Sequence, residues 1–255
     1  MIALIDGDFL LYFCTYQKAG SPQLTPESVI NSADTFLREI LNTVETNEYI
    51  GFLTSPKNFR KVNNPDYKAN RKKVELPEYF HILKEHLIEN WDFKVRELYE
   101  ADDLIGIHYR KDSHIIISPD KDLLMLEGMH YNPIKKCFIS TEPETAFTFF
   151  WSSMIIGDKS DNIKGIEGRG PAYTTRLLEE HLGTPVEALI FNEYIQHYGE
   201  YEGIQNFYKN YNLLKILTKP LATDLDFELF KPNTYNGIKR IHDTIAEDNE
   251  FSGEQ

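Results

Sequence analysis

The stretch HIIISPDKDLLML, residues 114–126, combines the clearest strand of the chain with two carboxylates. Its run of three isoleucines is apolar and β-branched, which predicts a buried strand at His114–Ile117. Ser118 is a residue type that caps helices, so a helix is expected over Asp120–Leu126. Asp120 and Asp122 are therefore expected where a strand ends and a helix begins.

The same order, an apolar run followed by a helical pattern, occurs upstream of this stretch. Further strands are predicted at Met1–Ile5, Tyr49–Leu53 and Phe93–Leu98. Thr25 and Pro26 form a helix start, and apolar residues then recur at helical spacing as far as Leu41. Strands that alternate with helices up to about residue 128 predict a parallel α/β sheet.

Nine carboxylates occur in four short clusters, three of which directly follow a predicted strand. Ligands of parallel sheets bind outside the carboxyl ends of the strands, so these clusters are expected to converge. Crowded like charges require a counter-charge, and Mg²⁺ suits a site of carboxylates, water and phosphate. The nine are Asp6, Asp8, Glu100, Asp102, Asp103, Asp120, Asp122, Asp158 and Asp161. The pattern predicts metal-assisted phosphodiester chemistry.

Each acidic cluster also has an ordinary structural interpretation. Asp-Gly after a strand is usually a turn, and acids in the first turn of a helix are favoured by its dipole. An Asp at the start of a helix is a common cap, and Asp-rich loops form side-chain turns. The occurrence of all four clusters in order, at strand or helix ends, favours the functional interpretation.

From about Glu142 the pattern becomes mostly helical, with predicted helices at Ala146–Ile156, Tyr173–Leu182 and Ile204–Leu217. The connector GDKSDNIKGIEGRGPA, residues 157–172, is rich in glycine, and Pro171 opens the second of these helices. This arrangement fits a helix–hairpin–helix whose backbone N–H groups approach a DNA phosphate. A plain turn between helices is the alternative. Neither GxGxxG spacing nor GxxxxGK[ST] occurs, so ATP hydrolysis is unsupported.

The net charge of −13 argues at first sight against a nucleic-acid partner. The nine clustered carboxylates carry −9 of it, whereas Lys57–Lys73 holds seven bases against one acid. Such a basic stripe engages phosphates even on an acidic protein. Within it Tyr67 is expected to stack on a base or sugar while Lys68 and Arg71 hold phosphates. A solvated charged loop is the alternative.

No apolar run approaches the roughly 20 residues that a membrane-spanning helix needs, and no membrane partner is expected. The only cysteines, Cys14 and Cys137, form no metal or disulfide framework. A reducing compartment, the cytoplasm, is therefore expected.

Taken together, the motifs IDGD, FR…DYKANR, EADD, SPDKDLLML and GDKSDNIKGIEGRGPA resemble the 5′-nuclease superfamily in their order along about residues 1–183. This superfamily includes flap endonucleases, the nuclease domain of bacterial DNA polymerase I and bacteriophage enzymes. The resemblance implies a PIN-like α/β fold, with a mostly parallel sheet flanked by helices, a helical arch and a helix–hairpin–helix. It implies a core at 1–141 with the arch in 57–95 and a helical region at 142–220. The C-terminal segment at 221–255 is acidic by composition.

The resemblance also implies two divalent-metal sites, for Mg²⁺ or Mn²⁺, and a K⁺ ion at the hairpin. The expected ligands are Asp6, Glu100, Asp102, Asp103, Asp120 and Asp122 at the first site, and Asp158 and Asp161 at the second. Asp8 matches the motif less closely and is expected behind the ligands. Lys68 and Arg71 are the expected catalytic cations, at the base of an arch that spans about Lys72 to Asn90. The expected DNA contacts are Tyr67, Lys72, Lys73, Lys121, Asn162, Gly165, Gly168, Arg169 and Gly170.

The function implied is that of a monomeric nuclease acting on DNA at a 5′ flap, nick or 5′ end, with RNA–DNA hybrid as a further substrate. One departure stands out, because the family places an Asp shortly after the second strand and residues 51–56 here read Gly-Phe-Leu-Thr-Ser-Pro. A water or Thr54 is the expected substitute. Two alternatives stay open at this point, a catalytically weak or inactive DNA-binding protein of the same fold and a Mg²⁺-dependent ribonuclease.

Overall fold

The computed structural model describes residues 1–17, 23–71, 75–181 and 185–236. A six-stranded sheet in the order β5-β4-β3-β1-β2-β8 forms the centre of the fold. Its strands are β1 (Ile2–Asp6), β2 (Glu48–Phe52), β3 (His114–Ile117), β4 (Gly128–Asn132), β5 (Cys137–Thr141) and β8 (Asn233–Thr234). The four central strands are parallel, and β5 and β8 run antiparallel at the two edges.

Helices cover both faces of this sheet, which explains the apolar sequence of its central strands. Successive side chains of a strand point to opposite faces. Ala3 and Ile5 accordingly belong to one buried cluster, whereas Leu4 belongs to another. The helices are α1 (Asp8–Phe13), α2 (Pro26–Thr43), α3 (Phe59–Asn63), α4 (Phe80–Trp91), α5 (Ala101–His108), α6 (Pro143–Ile156), α7 (Pro171–Glu180), α8 (Val186–Tyr198) and α9 (Glu200–Leu214).

The predicted start of α2 is confirmed in atomic detail. The Thr25 side chain accepts a hydrogen bond from the Ser28 amide, and the Ser28 side chain accepts one from the Thr25 amide. This reciprocal pair satisfies two of the free amides at the helix start.

The strand predicted at Phe93–Leu98 is wrong. The segment makes only single bridges, Phe52 with Lys94 and Asn58 with Leu98. The Phe93 ring lies so close to Gly51 that a Cβ there would come within 2.4 Å of it. The segment therefore packs against the end of β2 and does not join the sheet.

The helix expected over Asp120–Leu126 is a 3₁₀ helix at Lys121–Met125. It leads directly into β4, which pairs with β5 in a hairpin that periodicity did not predict. Helical residues therefore follow β3 as predicted, but they form a 3₁₀ helix of five residues.

The arch expected at about Lys72–Asn90 needs correction over most of its length. Residues Phe80–Trp91 form α4, which buries Leu83, Leu87 and Trp91 against α1 and α2. A helix that buries this much apolar surface is part of the core. Residues 75–79 connect to it from the basic segment, while Lys72 and Lys73 lie outside the described residues.

The mostly helical second half is confirmed, with α6 to α9 packed around a third buried cluster. A small hairpin of β6 (Gly157–Asp158) and β7 (Ile163–Lys164) separates α6 from α7. The described part of the C-terminal segment is attached to the core in two places, because Asp224 pairs with Arg96 and β8 extends β2. None of the helices in the described ranges is long and apolar enough to cross a membrane.

Candidate functional site

Asp6 ends β1 at the carboxyl edge of the sheet and is buried there. Its carboxylate accepts hydrogen bonds from the Ser118 hydroxyl at 2.7 Å and from the Asp8 amide at 3.0 Å. Burial, and then the charges of Asp8 and Asp120, raise the pKa of Asp6 to about 7. The expected convergence of the strand ends is therefore confirmed, since β1 and the loop after β3 share this carboxylate.

The N-terminus of α5 brings Glu100 and Asp102 to the same edge. Burial, followed by the charges of Asp6 and Asp120, raises the pKa of Asp102 well above its ordinary value. Burial also opposes the charge of Glu100, but Lys68 and then Arg60 hold its pKa below the ordinary value. Glu100 is thus paired directly with two cations, whereas at Asp102 burial and the neighbouring acids outweigh the charge of Lys68.

Asp103 is corrected from a metal ligand to one half of a buried ion pair. Arg60 donates to its two carboxylate oxygens at 2.5 and 2.8 Å and to Glu100 at 3.0 Å. The amide of Leu217 donates to Asp103 as well, at 3.1 Å. Both oxygens of Asp103 are thus already bonded and fully buried. In the sequence, Arg60 belongs to the basic stripe and to the FR motif. Neither pattern indicated its ion pair with Asp103.

A second group of carboxylates comes from the loop after β3 and from the β6–β7 hairpin. The Asp120 side chain accepts from the Asp122 amide at 2.9 Å, and Asp158 accepts from the amide and hydroxyl of Ser160 at 2.7 Å each. Burial, and then the charges of Asp120 and Asp158, raise the pKa of Asp122 to about 7. The two loops therefore face each other.

The basic segment contacts these acids. Lys68 Nζ lies 2.7 Å from Glu100 and 3.6 Å from Asp161, and Arg71 donates to Asp161 at 2.6 Å. One cleft contains these cations and six of the predicted ligands, Glu100, Asp102, Asp120, Asp122, Asp158 and Asp161. The two predicted catalytic cations are thus brought to the carboxylates, as expected.

The donor chemistry of the cleft fits a hard divalent cation, because its potential ligands are all carboxylate oxygens. Two of these groups, at Asp102 and Asp122, have pKa values raised by crowding and burial. Within the described ranges no three acids are already arranged at metal-binding distance. Ser118, Lys68 and Arg71 hold several of them instead. Side-chain rotation is therefore needed before the acids can share an ion.

The stretch that lacks the family's acid lies against Asp8. The Thr54 amide donates to Asp8 at 3.0 Å, and the Thr54 hydroxyl accepts from the amide of Ala101 at 2.9 Å. Burial, with the charge of Glu100 adding to it, raises the pKa of Asp8. Asp8, which was expected behind the metal ligands, therefore places a carboxylate beside residues 51–56.

Several residues that were predicted to contact DNA make contacts within the protein. Tyr67 is only 4% exposed and has no free ring face, and the side chain of Asn162 donates to the Asp66 carbonyl at 2.8 Å. Gly165 packs on the end of α6, where a Cβ would come within 2.2 Å of the Ile155 carbonyl. Tyr67 is therefore corrected from DNA stacking to an internal contact, whereas the DNA-binding roles of Asn162 and Gly165 stay predictions.

Arg169 is also held inward, in an ion pair with Glu193 and over the ring of Tyr173. Gly168 and Gly170, by contrast, have open space on the side where a Cβ would stand. Lys121 is exposed on the rim of the cleft. Among the described candidates, these three stay predictions for DNA binding together with Asn162 and Gly165.

The raised pKa of Asp122 predicts a pH dependence of stability in the metal-free protein. The folded state keeps a proton on Asp122 up to about pH 7, whereas an unfolded chain loses it near the ordinary value of 3.8. The group therefore stabilises the fold at low pH, and this contribution is lost as pH rises through 7. Asp122→Asn should stabilise the protein by on the order of 1 kcal/mol more at pH 8 than at pH 5, after allowing for solvent screening.

Urea unfolding of both proteins in a chelator at the two pH values measures this difference. Because the buried histidines titrate in both proteins, only the gap between the two curves reports on Asp122. A gap that stays constant with pH would contradict the assignment.

Comparisons with known proteins agree with this geometry. The sequence profile described as "5′-3′ exonuclease, N-terminal resolvase-like domain" matches residues 1–146, more than half of the chain. A "5′-3′ exonuclease" of Mycoplasma pneumoniae is 30% identical over 211 residues, which cover 70% of this chain and 71% of that protein.

Two solved structures are similar in fold. A bacteriophage T5 protein co-crystallised with metal ions has a TM-score of 0.66 and 20% identity, covering 85% of this chain and 90% of its own. A T5 flap endonuclease in a pseudo-enzyme-product complex with DNA and metal ions has a TM-score of 0.61 and 19% identity, covering 85% and 89%. At this identity both show the α/β fold.

Proposed function

This chain belongs to the 5′–3′ exonuclease family, and on that premise we propose that it hydrolyses DNA phosphodiesters at 5′ flaps, nicks and 5′ ends. The products carry a 5′-phosphate and a 3′-hydroxyl. Removal of flaps and RNA primers in replication or repair is the expected role.

The observation that carries the proposal is the cleft in which Lys68 and Arg71 face six carboxylates. A phosphodiester is an anion that needs positive charge on its non-bridging oxygens and a positioned water. Lys68 and Arg71 extend from one loop to the acids, within reach of a phosphate that would take the place of a carboxylate partner. The site thus holds its two cations where the reacting group is expected.

Divalent metal ions, Mg²⁺ or Mn²⁺ at two sites, would supply a water of lowered pKa and neutralise charge on the phosphate. Asp6, Asp102, Asp120 and Asp122 would hold the first ion with Glu100, and Asp158 and Asp161 the second. Asp8 would support the first group from beside Thr54, 3.0 Å away. The potassium ion at the hairpin stays a prediction of the resemblance.

Duplex DNA would dock on the turn before α7. Gly168 and Gly170 leave the backbone uncovered there, so a phosphate can approach its amides without meeting side chains. Arg169 between them points inward to Glu193 and supports the turn from below. Lys121 would contact the DNA backbone from the rim of the cleft.

A cleavage panel tests the proposed function. Matched 5′-flap, nicked and 5′-overhang DNA substrates, labelled at the 5′ end, should be cut in Mg²⁺ or Mn²⁺ and left intact in chelator. A flap substrate whose flap and duplex are both RNA separates a DNA nuclease from a ribonuclease, since only a ribonuclease is expected to cut it.

The outcome that would refute the proposal is binding of the flap without cleavage by clean protein in either metal. That result would select the non-catalytic DNA-binding alternative. Asp8 counts against that alternative, because it places a carboxylate at the stretch whose missing acid motivated it.

A further inference from the structure

Glu193 is a buried acid of α8 that does not line the carboxylate cleft. It is 6% exposed, and its carboxylate accepts a hydrogen bond from the Tyr173 hydroxyl at 2.6 Å. The same carboxylate forms an ion pair with Arg169. Arg169 lies in the turn before α7, and Tyr173 lies in the first turn of that helix. A single carboxylate therefore bonds to both sides of the point where the turn becomes a helix.

The two partners of Glu193 also contact each other. The guanidinium of Arg169 lies over the Tyr173 ring, 4.9 Å from its centroid, and the Arg169 side chain is only 19% exposed. The Arg169 amide donates to the Ile166 carbonyl at 3.1 Å. A guanidinium that is both paired with a carboxylate and stacked on a ring has little freedom to reorient. The shape of the turn at Arg169 is thus fixed from the side of α8.

The helices α8 and α9 also bond to the chain before this turn. The Tyr198 hydroxyl donates to the Gly165 carbonyl at 3.2 Å, and the Asn210 side chain donates to the Lys164 carbonyl at 2.7 Å. These bonds hold the end of β7, where the segment leading to the turn begins. Glu193 adds an ionic contact at the far side of the turn. The two helices therefore form a support for the turn on both sides.

A buried ion pair contributes little net stability compared with apolar side chains of the same volume. The pair of Glu193 with Arg169 is therefore better explained by the geometry that it imposes. The open backbone at Gly168 and Gly170 lies on either side of Arg169. A turn that is already ordered loses less conformational entropy when a phosphate binds to its amides.

We propose that Glu193 is a positioning residue that fixes the turn from Gly168 to Gly170 in the shape that receives a phosphate of duplex DNA. It acts through Arg169 and Tyr173, which it holds beneath the turn. The inference rests on the proposed function, because the ligand of the turn is the duplex part of the DNA substrate.

Glu193→Gln tests the proposal, because it removes the charge and keeps the size of the side chain. Removing an acid from a protein that binds DNA ordinarily raises affinity, since it lessens repulsion of the phosphates. Here the opposite is expected, with duplex DNA bound about fivefold more weakly because the turn must be ordered on binding. Fluorescence anisotropy of a labelled duplex in chelator measures this affinity. In Mg²⁺ the KM for a 5′ flap should rise to the same extent, while kcat stays unchanged.

Glu187→Gln is the matched control. Glu187 is an exposed acid in the first turn of the same helix, so the variant makes the same change in net charge. It should not weaken duplex binding. Labelled single-stranded DNA is the second control, because Glu193→Gln should bind it as tightly as the wild-type protein does.

Arg169→Met distinguishes support of the turn from direct contact of Arg169 with DNA. If Arg169 acts through the turn, Arg169→Met should weaken duplex binding as much as Glu193→Gln does. The double variant should then lose no more than either single variant. The slope of log Kd against log salt concentration should stay unchanged in all three. A direct phosphate contact would instead lower this slope by about one in Arg169→Met.

The outcomes that would overturn the role are distinct from failure of the proposed function. Duplex affinity of Glu193→Gln equal to or higher than that of the wild type would overturn the positioning role and leave the nuclease assignment intact. An equal loss of affinity for single-stranded DNA would also overturn it. A wild-type protein that neither binds nor cleaves the flap would overturn the proposed function and this role with it.

Tyr173→Phe keeps the proposal testable if Glu193→Gln does not fold. This variant keeps the ring under Arg169 and removes only the hydroxyl that donates to Glu193. It should weaken duplex binding in the same direction and to a smaller extent, with kcat unchanged. Unaltered duplex binding by folded Tyr173→Phe would count against the role of Glu193.

Discussion

Asp102→Asn is expected to lower the rate of 5′-flap cleavage about a thousand-fold and, at the same time, to stabilise the metal-free protein. Asp102 stands next to both Asp6 and Asp120, and burial with their two charges raises its pKa well above the ordinary value. The amide that replaces it has no charge to repel its neighbours or to hold a cation. Opposite effects on stability and activity are expected where a site is built from mutually repelling groups.

Single-turnover cleavage of a labelled flap and thermal unfolding in chelator measure the two effects. Asp112→Asn is the control, because Asp112 is an exposed acid in the turn before β3, at the opposite end of that strand from Asp120. Asp112→Asn should change neither the cleavage rate nor the unfolding temperature. If Asp102→Asn cleaved at the wild-type rate, Asp102 would be excluded from the reacting centre. If the variant is inactive but still binds the flap, the lost activity is due to the chemical step and not to DNA binding.

Arg60→Met should destabilise the fold by about 3–5 kcal/mol, because it leaves the buried Asp103 without its cation and Glu100 with Lys68 alone. Arg60 is 3% exposed and bonds to Asp103, Glu100 and the carbonyls of Leu213 and Lys215. Removing one partner of a buried ion pair lowers the free energy of unfolding far more than replacing both partners does. Arg60→Met combined with Asp103→Leu should therefore recover much of the loss.

Urea unfolding of the single and double variants gives these free energies. Arg38→Met is the control, since Arg38 forms an exposed pair with Asp34 on α2 and should cost less than about 1 kcal/mol. An effect of Arg60→Met as small as that of Arg38→Met would show that the buried pair contributes little. It would also remove the reason for excluding Asp103 from the metal ligands.

Local patterns predicted those parts of the fold that short-range physics controls. The isoleucines of β3, the Thr25-Pro26 start of α2 and the apolar run of α6 each specify an element without reference to distant residues. The segment Phe93–Leu98 has a strand-like composition, but it meets β2 only through the bridge at Lys94 and the packing of Phe93 onto Gly51. The arch over Lys72–Asn90 was an implication of the family resemblance, whereas the buried residues of α4 make it a core helix.

The sequence by itself determined that carboxylates follow parallel strands, and the geometry of such sheets requires those strand ends to meet. It also determined that Lys68 and Arg71 belong to the same loop. Only the tertiary structure decided how each group is bonded, because hydrogen-bond partners far apart in the chain leave no periodic trace. Asp103 is paired with Arg60 across 43 positions, Tyr67 meets Asp161 across 94, and both acids look like any other Asp in the sequence. The sequence identifies these residues as acids. The role of each carboxylate depends on which neutral or positive group the fold brings within about 3 Å of it.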